Sequence, residues 1–204
     1  SAWSPCLPIG RPPVIPSLHA SRAAHRVFRV CGPFVTPTAP SGLSTLFESD
    51  YYVHPAFLSQ SGQLYNEASI GSLGRVYCFG PTFRAEKSKT RRHLMEFWMV
   101  EPEVAFMELP GLLQLEEDFI TYIVQTTLRE RAEELKILER DVSKLENIAP
   151  PFPRLSYDQA IEILRGQNPD TQWGDDFGGD EETILASQFD KPVFITEYPT
   201  AIKA

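Results

Sequence analysis

The segment between Gly74 and Val104 constrains the fold of this chain most strongly. Residues 75–79 and 82–86 are rich in strand-forming side chains, and Gly80 and Pro81 between them permit a bend. The charged run 87–93 predicts a loop, and the alternating pattern of residues 94–104 predicts a second strand. Two such runs joined by a loop predict an antiparallel hairpin.

Downstream, helical and extended patterns alternate without a βαβ rhythm. Apolar spacing predicts an amphipathic helix over residues 112–136 that starts near Pro110. A capping box at Ser156 and Gln159 predicts a short surface helix that ends at Gly166. A turn-rich loop over 173–179, a helix over 180–188 and a buried strand over 192–196 follow. The order predicts the α+β class, with an antiparallel sheet flanked by helices.

The front of the chain differs from the rest in composition. Eight of the 18 prolines fall in the first 40 residues, and residues 1–47 contain no Asp or Glu. We therefore expect an irregular leader over 1–33 and one domain over 34–204. The net charge of -8 argues against nonspecific binding of polyanions by the whole surface, so any contact with nucleic acid must be local.

Cysteine usage and hydropathy bound the environment of the chain. The three cysteines are widely spaced and lack a Cys-x-x-Cys pair, which argues against a disulfide framework and a structural zinc site. They favour a reducing compartment, the cytoplasm, with an organelle left open. No stretch reaches the roughly 20 apolar residues that a membrane helix needs. We predict no metal ligands within the chain and no membrane contact.

The predicted hairpin sorts its side chains onto two faces, because residues two apart in a strand point the same way. Arg84 and Glu86 share a face on the first strand. The second strand aligns Phe97, Glu101 and Glu103, whereas its opposite phase is apolar and suits a core (Trp98, Val100 and Val104). The charged face is then expected to meet water or a ligand.

Such a face has the chemistry to hold a nucleotide and an amino acid together. A guanidinium fork binds phosphate and carboxylate oxygens in pairs, and an aromatic plane stacks a base. A charge-assisted hydrogen bond contributes roughly 1.5–3 kcal/mol, so three or four such contacts suffice for micromolar ATP binding. A solvated polar face and a core phenylalanine are the plainer interpretations of the same pattern.

The amino-acid sequence of the hairpin resembles that of a known family. Residues 79–86 (FGPTFRAE), 90–94 (TRRHL) and 96–103 (EFWMVEPE) closely resemble motif 2 of asparaginyl-tRNA synthetases, which places motif 2 at 75–104. Residues 61–68, 173–177 and 191–199 resemble further segments of that family in the same order. The resemblance implies a class II aminoacyl-tRNA synthetase catalytic domain of the aspartyl, asparaginyl and lysyl subgroup.

The resemblance implies a role for each matched residue. Arg84 would be catalytic, gripping the α-phosphate of ATP and the amino-acid carboxylate. Glu86, His93 and Phe97 would complete the ATP site at the adenine or acceptor end, the γ-phosphate and the adenine ring. Gln63 and Glu101 would bind the amino acid, with Glu101 accepting the amide of asparagine. The basic loop would meet the acceptor end of tRNA through Arg91 and Arg92.

Specificity also follows from the resemblance together with electrostatics. Aspartate in place of asparagine would face Glu101 with a like charge, which costs about 4 kcal/mol at about 4 Å and an effective dielectric near 20. Aspartyl enzymes resemble this segment but carry a lysine where Asn66 stands. The implied reaction is therefore ATP-dependent activation of asparagine and its transfer to tRNA(Asn).

Departures from the family qualify these expectations. The matched sequence ends before motif 3 and the acidic Mg²⁺ ligands of the family. We therefore expect little or no activation of the amino acid by this polypeptide alone. The resemblance does not imply the homodimer of the parent family, because no segment of this sequence is recognisable as the motif 1 helix of that family. Three alternatives stay open, namely an aspartyl-tRNA synthetase, a synthetase-derived asparagine synthetase and an inactive remnant that binds a partner.

Overall fold

A computed structural model describes residues 27–37, 46–85 and 94–202. The chain divides into two compact units between Met107 and Glu108. Helices accompany short sheets in both units, which confirms the predicted α+β class. Within the described ranges, no helix is both long and apolar enough to cross a membrane.

The first unit contains two three-stranded sheets and one helix. Strand order is β1-β5-β6 in one sheet and β2-β4-β3 in the other. The helix α1 contacts β5 and β6. The elements are β1 (Phe28–Arg29), β2 (Val35–Thr36), β3 (Glu48–Tyr51), β4 (His54–Leu58), α1 (Gln63–Leu73), β5 (Arg75–Phe83) and β6 (Glu96–Val104).

The predicted hairpin is present as the antiparallel pair β5 and β6. Its register runs from Arg75 opposite Val104 to Phe83 opposite Glu96. The expected interruption at Gly80 and Pro81 is absent, because both residues pair within the nine-residue strand. The edge strand β1 covers β5 only at Val76 and Tyr77, so the missing N–H of Pro81 interrupts no described ladder there.

The expectation of an irregular leader through residue 33 is wrong at β1. Phe28 and Arg29 pair in parallel with β5, and the Arg29 guanidinium donates to the Phe79 carbonyl at 3.3 Å. Two residues give no periodicity, so the sequence pattern does not predict this strand. Residues 1–26 lie outside the described residues.

The second unit joins five helices to one small parallel sheet. Its elements are α2 (Leu109–Glu130), α3 (Ala132–Ile137), α4 (Ser143–Glu146), β7 (Arg154–Ser156), α5 (Tyr157–Gln167), α6 (Gly179–Ser187) and β8 (Phe194–Thr196), with β7 pairing β8. The predicted helix over 112–136 is in fact two helices. Arg131 leaves helical geometry with φ -126° and ψ 27°, which separates α2 from α3.

The capping box at the start of α5 is confirmed, and α5 exposes its polar side as a surface helix does. Ser156 accepts from the Gln159 N–H at 3.2 Å, and Gln159 accepts from the Ser156 N–H at 2.9 Å. Spacing of three and four then places one side of α5 in the core, where Ala160 and Leu164 pack with Leu185 of α6. The strand predicted as buried, β8, is half-buried.

Candidate functional site

The register of β5 and β6 forms the predicted polar face. Residues directly opposite in an antiparallel pair point to the same side, and Phe97 lies opposite Thr82, Glu101 opposite Cys78 and Glu103 opposite Val76. Period-two alternation therefore aligns the three predicted side chains on one face of β6.

The other face of β6 does not form the expected core. Trp98 is 51% exposed, and Val100 and Val104 are only half-buried. Trp98 instead packs against Phe79, its diagonal neighbour on β5, at 5.1 Å between ring centroids. An apolar phase marks which side of a strand is hydrophobic, but burial depends on what covers that side.

Arg84 and Phe97 meet at one end of the face. The guanidinium carbon of Arg84 lies 5.3 Å from the centroid of the Phe97 ring, within the range of a cation–π contact. The Arg84 N–H donates to the Met95 carbonyl at 2.9 Å, so Arg84 is held as an extension of the hairpin ladder. A cation and a ring are thus presented side by side on a rigid pair of strands.

Glu101 lies farther along the same face, beneath the start of α1. Its carboxylate accepts from the Ser61 hydroxyl at 2.5 Å, the Gly62 N–H at 2.9 Å and the Cys78 thiol at 3.2 Å. Protein donors therefore occupy much of the Glu101 carboxylate, which strand alternation does not predict. An ionised carboxylate offers about four acceptor positions, so about one remains for a ligand.

Cys78 is part of this site, although the sequence pattern assigns it no role. It is 8% exposed, and burial, followed by its hydrogen bond to Glu101 and the charge of that carboxylate, raises the pKa of the thiol to about 12. The thiol therefore keeps its proton and donates it to Glu101. Its place opposite Glu101 depends on the hairpin register, which sequence alternation does not give.

The approach of α1 to β5 depends on the absence of a side chain at Gly62. A Cβ built there would lie 2.3 Å from the Cys78 sulfur and 3.4 Å from Glu101 Oε2. The Gly62 φ of -88° is open to any residue, so the requirement for glycine is one of space. The sequence pattern distinguishes Ser61 and Gly62 only as residues that precede Gln63.

Two further residues of α1 bear on the predicted amino-acid site. Gln63 is exposed, its N–H donates to the Ser61 hydroxyl at 3.0 Å, and its side-chain amide donates to Glu67 at 2.6 Å. Asn66 is fully buried and donates to the backbone carbonyl of Glu101 at 2.9 Å, while its Oδ1 finds no partner in the described part of the chain. Asn66 thus fixes the backbone of β6 at Glu101.

The two ends of the face are set at a definite spacing. Phe97 and Glu101 are four residues apart on β6, which corresponds to about 13 Å along a strand. The other predicted residues, Glu86, Arg91, Arg92 and His93, lie outside the described residues.

The acidic character of the face extends to Glu103. Burial, then the charges of Glu67 and Glu101, raise the pKa of the Glu103 carboxyl above its usual range. Among residues 27–37, 46–85 and 94–202, no group of three or more His, Cys, Asp or Glu is arranged to hold a metal ion. These carboxylates therefore give no fit to the Mg²⁺ that the resemblance implies.

Comparison with solved structures gives the class of the fold. Asparaginyl-tRNA synthetase from Pyrococcus horikoshii complexed with asparaginyl-adenylate superposes with a TM-score of 0.86 at 44% identity, over 94% of this chain and 44% of that one. Asparaginyl-tRNA synthetase from Entamoeba histolytica with the same adenylate gives a TM-score of 0.77 at 25% identity, over 94% of this chain and 42% of that one. The fold is that of class II aminoacyl-tRNA synthetases.

Sequence comparison narrows the class to one family. The family model for class II tRNA synthetases (D, K and N) matches residues 15–204. The chain belongs to this family.

The curated relatives that match this chain include asparagine–tRNA ligases from two bacteria. That of Desulforamulus reducens is 57% identical over 175 residues, which is 86% of this chain and 41% of the relative. That of Koribacter versatilis is 55% identical over 195 residues, which is 90% of this chain and 44% of the relative. The chain thus spans about two fifths of the length of the relatives that it matches.

Proposed function

We propose that this chain supplies the adenylate-binding hairpin of an asparagine–tRNA ligase. In that reaction a carboxylate oxygen of asparagine attacks the α-phosphorus of ATP, pyrophosphate leaves, and the 3′-terminal ribose of tRNA(Asn) then takes the asparaginyl group as AMP leaves. The observation that carries the proposal is the shared face, with Arg84 over Phe97 at one end and the Glu101 carboxylate at the other.

Each end of the face has a distinct task. Arg84 pairs with the α-phosphate and the asparagine carboxylate and stabilises the charge that develops as they react. The Phe97 ring carries the adenine, a contact that contributes about 1–3 kcal/mol per base. Gln63 faces the amino acid from the start of α1, once its amide leaves Glu67.

Glu101 reads the side chain of the amino acid. Ser61, Gly62 and Cys78 occupy most of its acceptor positions, and the remaining one suits a single N–H donor such as the amide of asparagine. Aspartate brings no donor and a second negative charge, so the same carboxylate repels it. This argument favours asparagine over aspartate.

The remaining predicted residues complete the proposal from outside the described ranges. Glu86 and His93 are assigned to ATP, and Arg91 and Arg92 to the acceptor end of tRNA(Asn). Class II synthetases use ATP with Mg²⁺, and the described carboxylates give no fit to the metal. Cys78 forms no disulfide, in keeping with a reducing compartment such as the cytoplasm.

Exchange of pyrophosphate into ATP tests the proposal. The assay uses asparagine and then aspartate, on the 204-residue chain and on a form extended past Ala204, since the relatives are longer. We expect exchange with asparagine in the extended form, and Arg84→Ala should abolish it because the α-phosphate loses its guanidinium. Phe97→Leu should raise the KM for ATP by roughly tenfold and leave the KM for asparagine near its original value.

Two results would contradict the assignment. Exchange that depends on aspartate alone would overturn the specificity argued for Glu101. Exchange that survives Arg84→Ala would remove Arg84 from the reacting phosphate. Formation of free asparagine from aspartate and ammonia would favour the asparagine synthetase alternative.

A further inference from the structure

Glu101 is held by three protein donors, which leave its carboxylate about one free acceptor position. The Ser61 hydroxyl contacts Oε1, whereas the Gly62 N–H and the Cys78 thiol both contact Oε2. The three donors come from two directions, the start of α1 and the facing strand β5. A carboxylate held at both oxygens from two sides cannot rotate about its side-chain bonds without breaking at least one hydrogen bond.

The backbone on both sides of this contact is also fixed. Asn66 donates to the Glu101 carbonyl, and Cys78 lies directly opposite Glu101 in the β5–β6 register. The space between α1 and β5 is filled so closely that a Cβ at Gly62 would overlap the Cys78 sulfur. The carboxylate is therefore clamped through its side chain, its own backbone and the packing around it.

We propose that Ser61 and Cys78 are positioning residues that set the choice of asparagine over aspartate by holding the Glu101 carboxylate in one place. This inference rests on the proposed function of Glu101. A charged residue that moves freely excludes a like charge poorly, because it can swing away from the incoming group. When its donors hold it in place, the Glu101 carboxylate exerts its full electrostatic repulsion on a bound aspartate.

The size of the effect follows from Coulomb's law. Doubling the separation of two like charges from about 4 Å to about 8 Å halves their repulsion, which at an effective dielectric near 20 lowers the discrimination roughly thirtyfold. Loss of one donor releases the carboxylate only in part, so we expect a roughly 3- to 30-fold fall in preference for each single variant. We expect the larger fall in preference for asparagine in Ser61→Ala, because a hydroxyl is a stronger donor than a thiol.

The mechanism also predicts which kinetic constant changes. Release of Glu101 should lower the KM for aspartate, since the repulsion acts on the bound amino acid. The KM for ATP should stay the same, because Phe97 lies about 13 Å away along β6. A general loss of folded protein would lower kcat for both amino acids and leave their ratio unchanged.

The experiment compares exchange kinetics of Ser61→Ala, Cys78→Ala and Cys78→Ser with the unsubstituted protein, all in the form extended past Ala204. We expect a reduced preference for asparagine in both alanine variants, and its recovery in Cys78→Ser, because a hydroxyl replaces the thiol as donor. Ser69→Ala is the matched control, since the Ser69 hydroxyl lies on the same helix and bonds to the Tyr65 carbonyl instead. A preference that is unchanged in both alanine variants would overturn the proposal.

A spectroscopic measurement separates this proposal from the assignment of the reaction. The S–H stretching band of Cys78, identified by its loss in Cys78→Ser, should lie at low frequency because the thiol donates to a carboxylate. Glu101→Gln, a weaker acceptor, should shift the band upward. If the band does not shift in Glu101→Gln, the proposed hold of Cys78 on Glu101 is wrong, even if asparagine is the substrate. If the band shifts but the extended form shows no exchange with asparagine, the hold on Glu101 is supported and the proposed function is refuted.

Discussion

The steric requirement at Gly62 leads to a prediction that can be tested without any substrate. A Cβ at this position would lie 2.3 Å from the Cys78 sulfur, far inside van der Waals contact. The backbone itself permits alanine, because φ is -88°. Gly62→Ala should therefore destabilise the first unit by about 1–3 kcal/mol, the usual cost of overpacking a close contact.

Removing the sulfur should relieve that cost. Cys78→Ala alone leaves a small cavity and an unfilled acceptor position on Glu101. We expect this variant to lower the free energy of unfolding by about 1–2 kcal/mol. In Gly62→Ala with Cys78→Ala, the new methyl group meets the Cβ of residue 78 at 3.3 Å and Glu101 at 3.4 Å, distances that a small shift accommodates. The double variant should cost no more than Cys78→Ala alone, which gives a coupling energy of about 1–3 kcal/mol.

Hydrogen exchange resolved by mass spectrometry can measure these energies locally. Peptides that cover β5 and β6 report the free energy of opening of the hairpin. Gly71→Ala is the matched control, because its Cβ would meet nothing within 4 Å and alanine favours a helix by about 1 kcal/mol over glycine. Additive costs in the double variant, or a harmless Gly62→Ala, would refute the close contact between α1 and β5.

Three further predictions concern stability. Glu117→Ala should cost about 2–4 kcal/mol in urea unfolding, because Glu117 is 2% exposed and accepts from the Phe152 N–H at 3.2 Å, while Arg154→Ala should cost less since that side chain is half exposed. Ser156→Ala should cost about 1 kcal/mol in the same assay through loss of the capping box, and Ser187→Ala should change little. Glu103→Gln should stabilise the protein at pH 7, because the raised pKa of Glu103 means that its ionisation opposes folding. That gain should vanish below about pH 4 in thermal unfolding, where glutamate is protonated in both states, and a gain that persists there would contradict the electrostatic cause.

The polar face of the hairpin was predictable from sequence because strand alternation has a period of two. That period alone places Phe97, Glu101 and Glu103 on one side, whatever the partner strand does. The cross-strand register needs the length and course of the connecting loop, which alternation does not encode. For this reason the sequence pattern does not predict that Cys78 lies opposite Glu101.

Contacts between distant segments were equally beyond the sequence pattern. Ser61 and Gly62 reach Glu101 across about 40 positions in the chain, and nothing local to residues 61–62 indicates a carboxylate partner. The break at Arg131 and the exposure of Trp98 have a similar origin. Propensity and hydropathy describe what a residue prefers, whereas its neighbours in space decide whether a helix continues or a ring is covered.

The start of α1 explains why the specificity of this site is tied to its stability. Helix α1 has Gly62 at its N-cap, no side-chain cap of its own and no acidic residue in its first turn. Glu101 supplies from β6 what the helix lacks, because its carboxylate accepts the Gly62 N–H and places a negative charge at the positive end of the helix dipole. The same carboxylate is the group that we assign to the amide of asparagine. A change of Glu101 toward a neutral side chain would therefore weaken both the helix start and the rejection of aspartate, so a switch of specificity at this position requires a new cap for α1 as well.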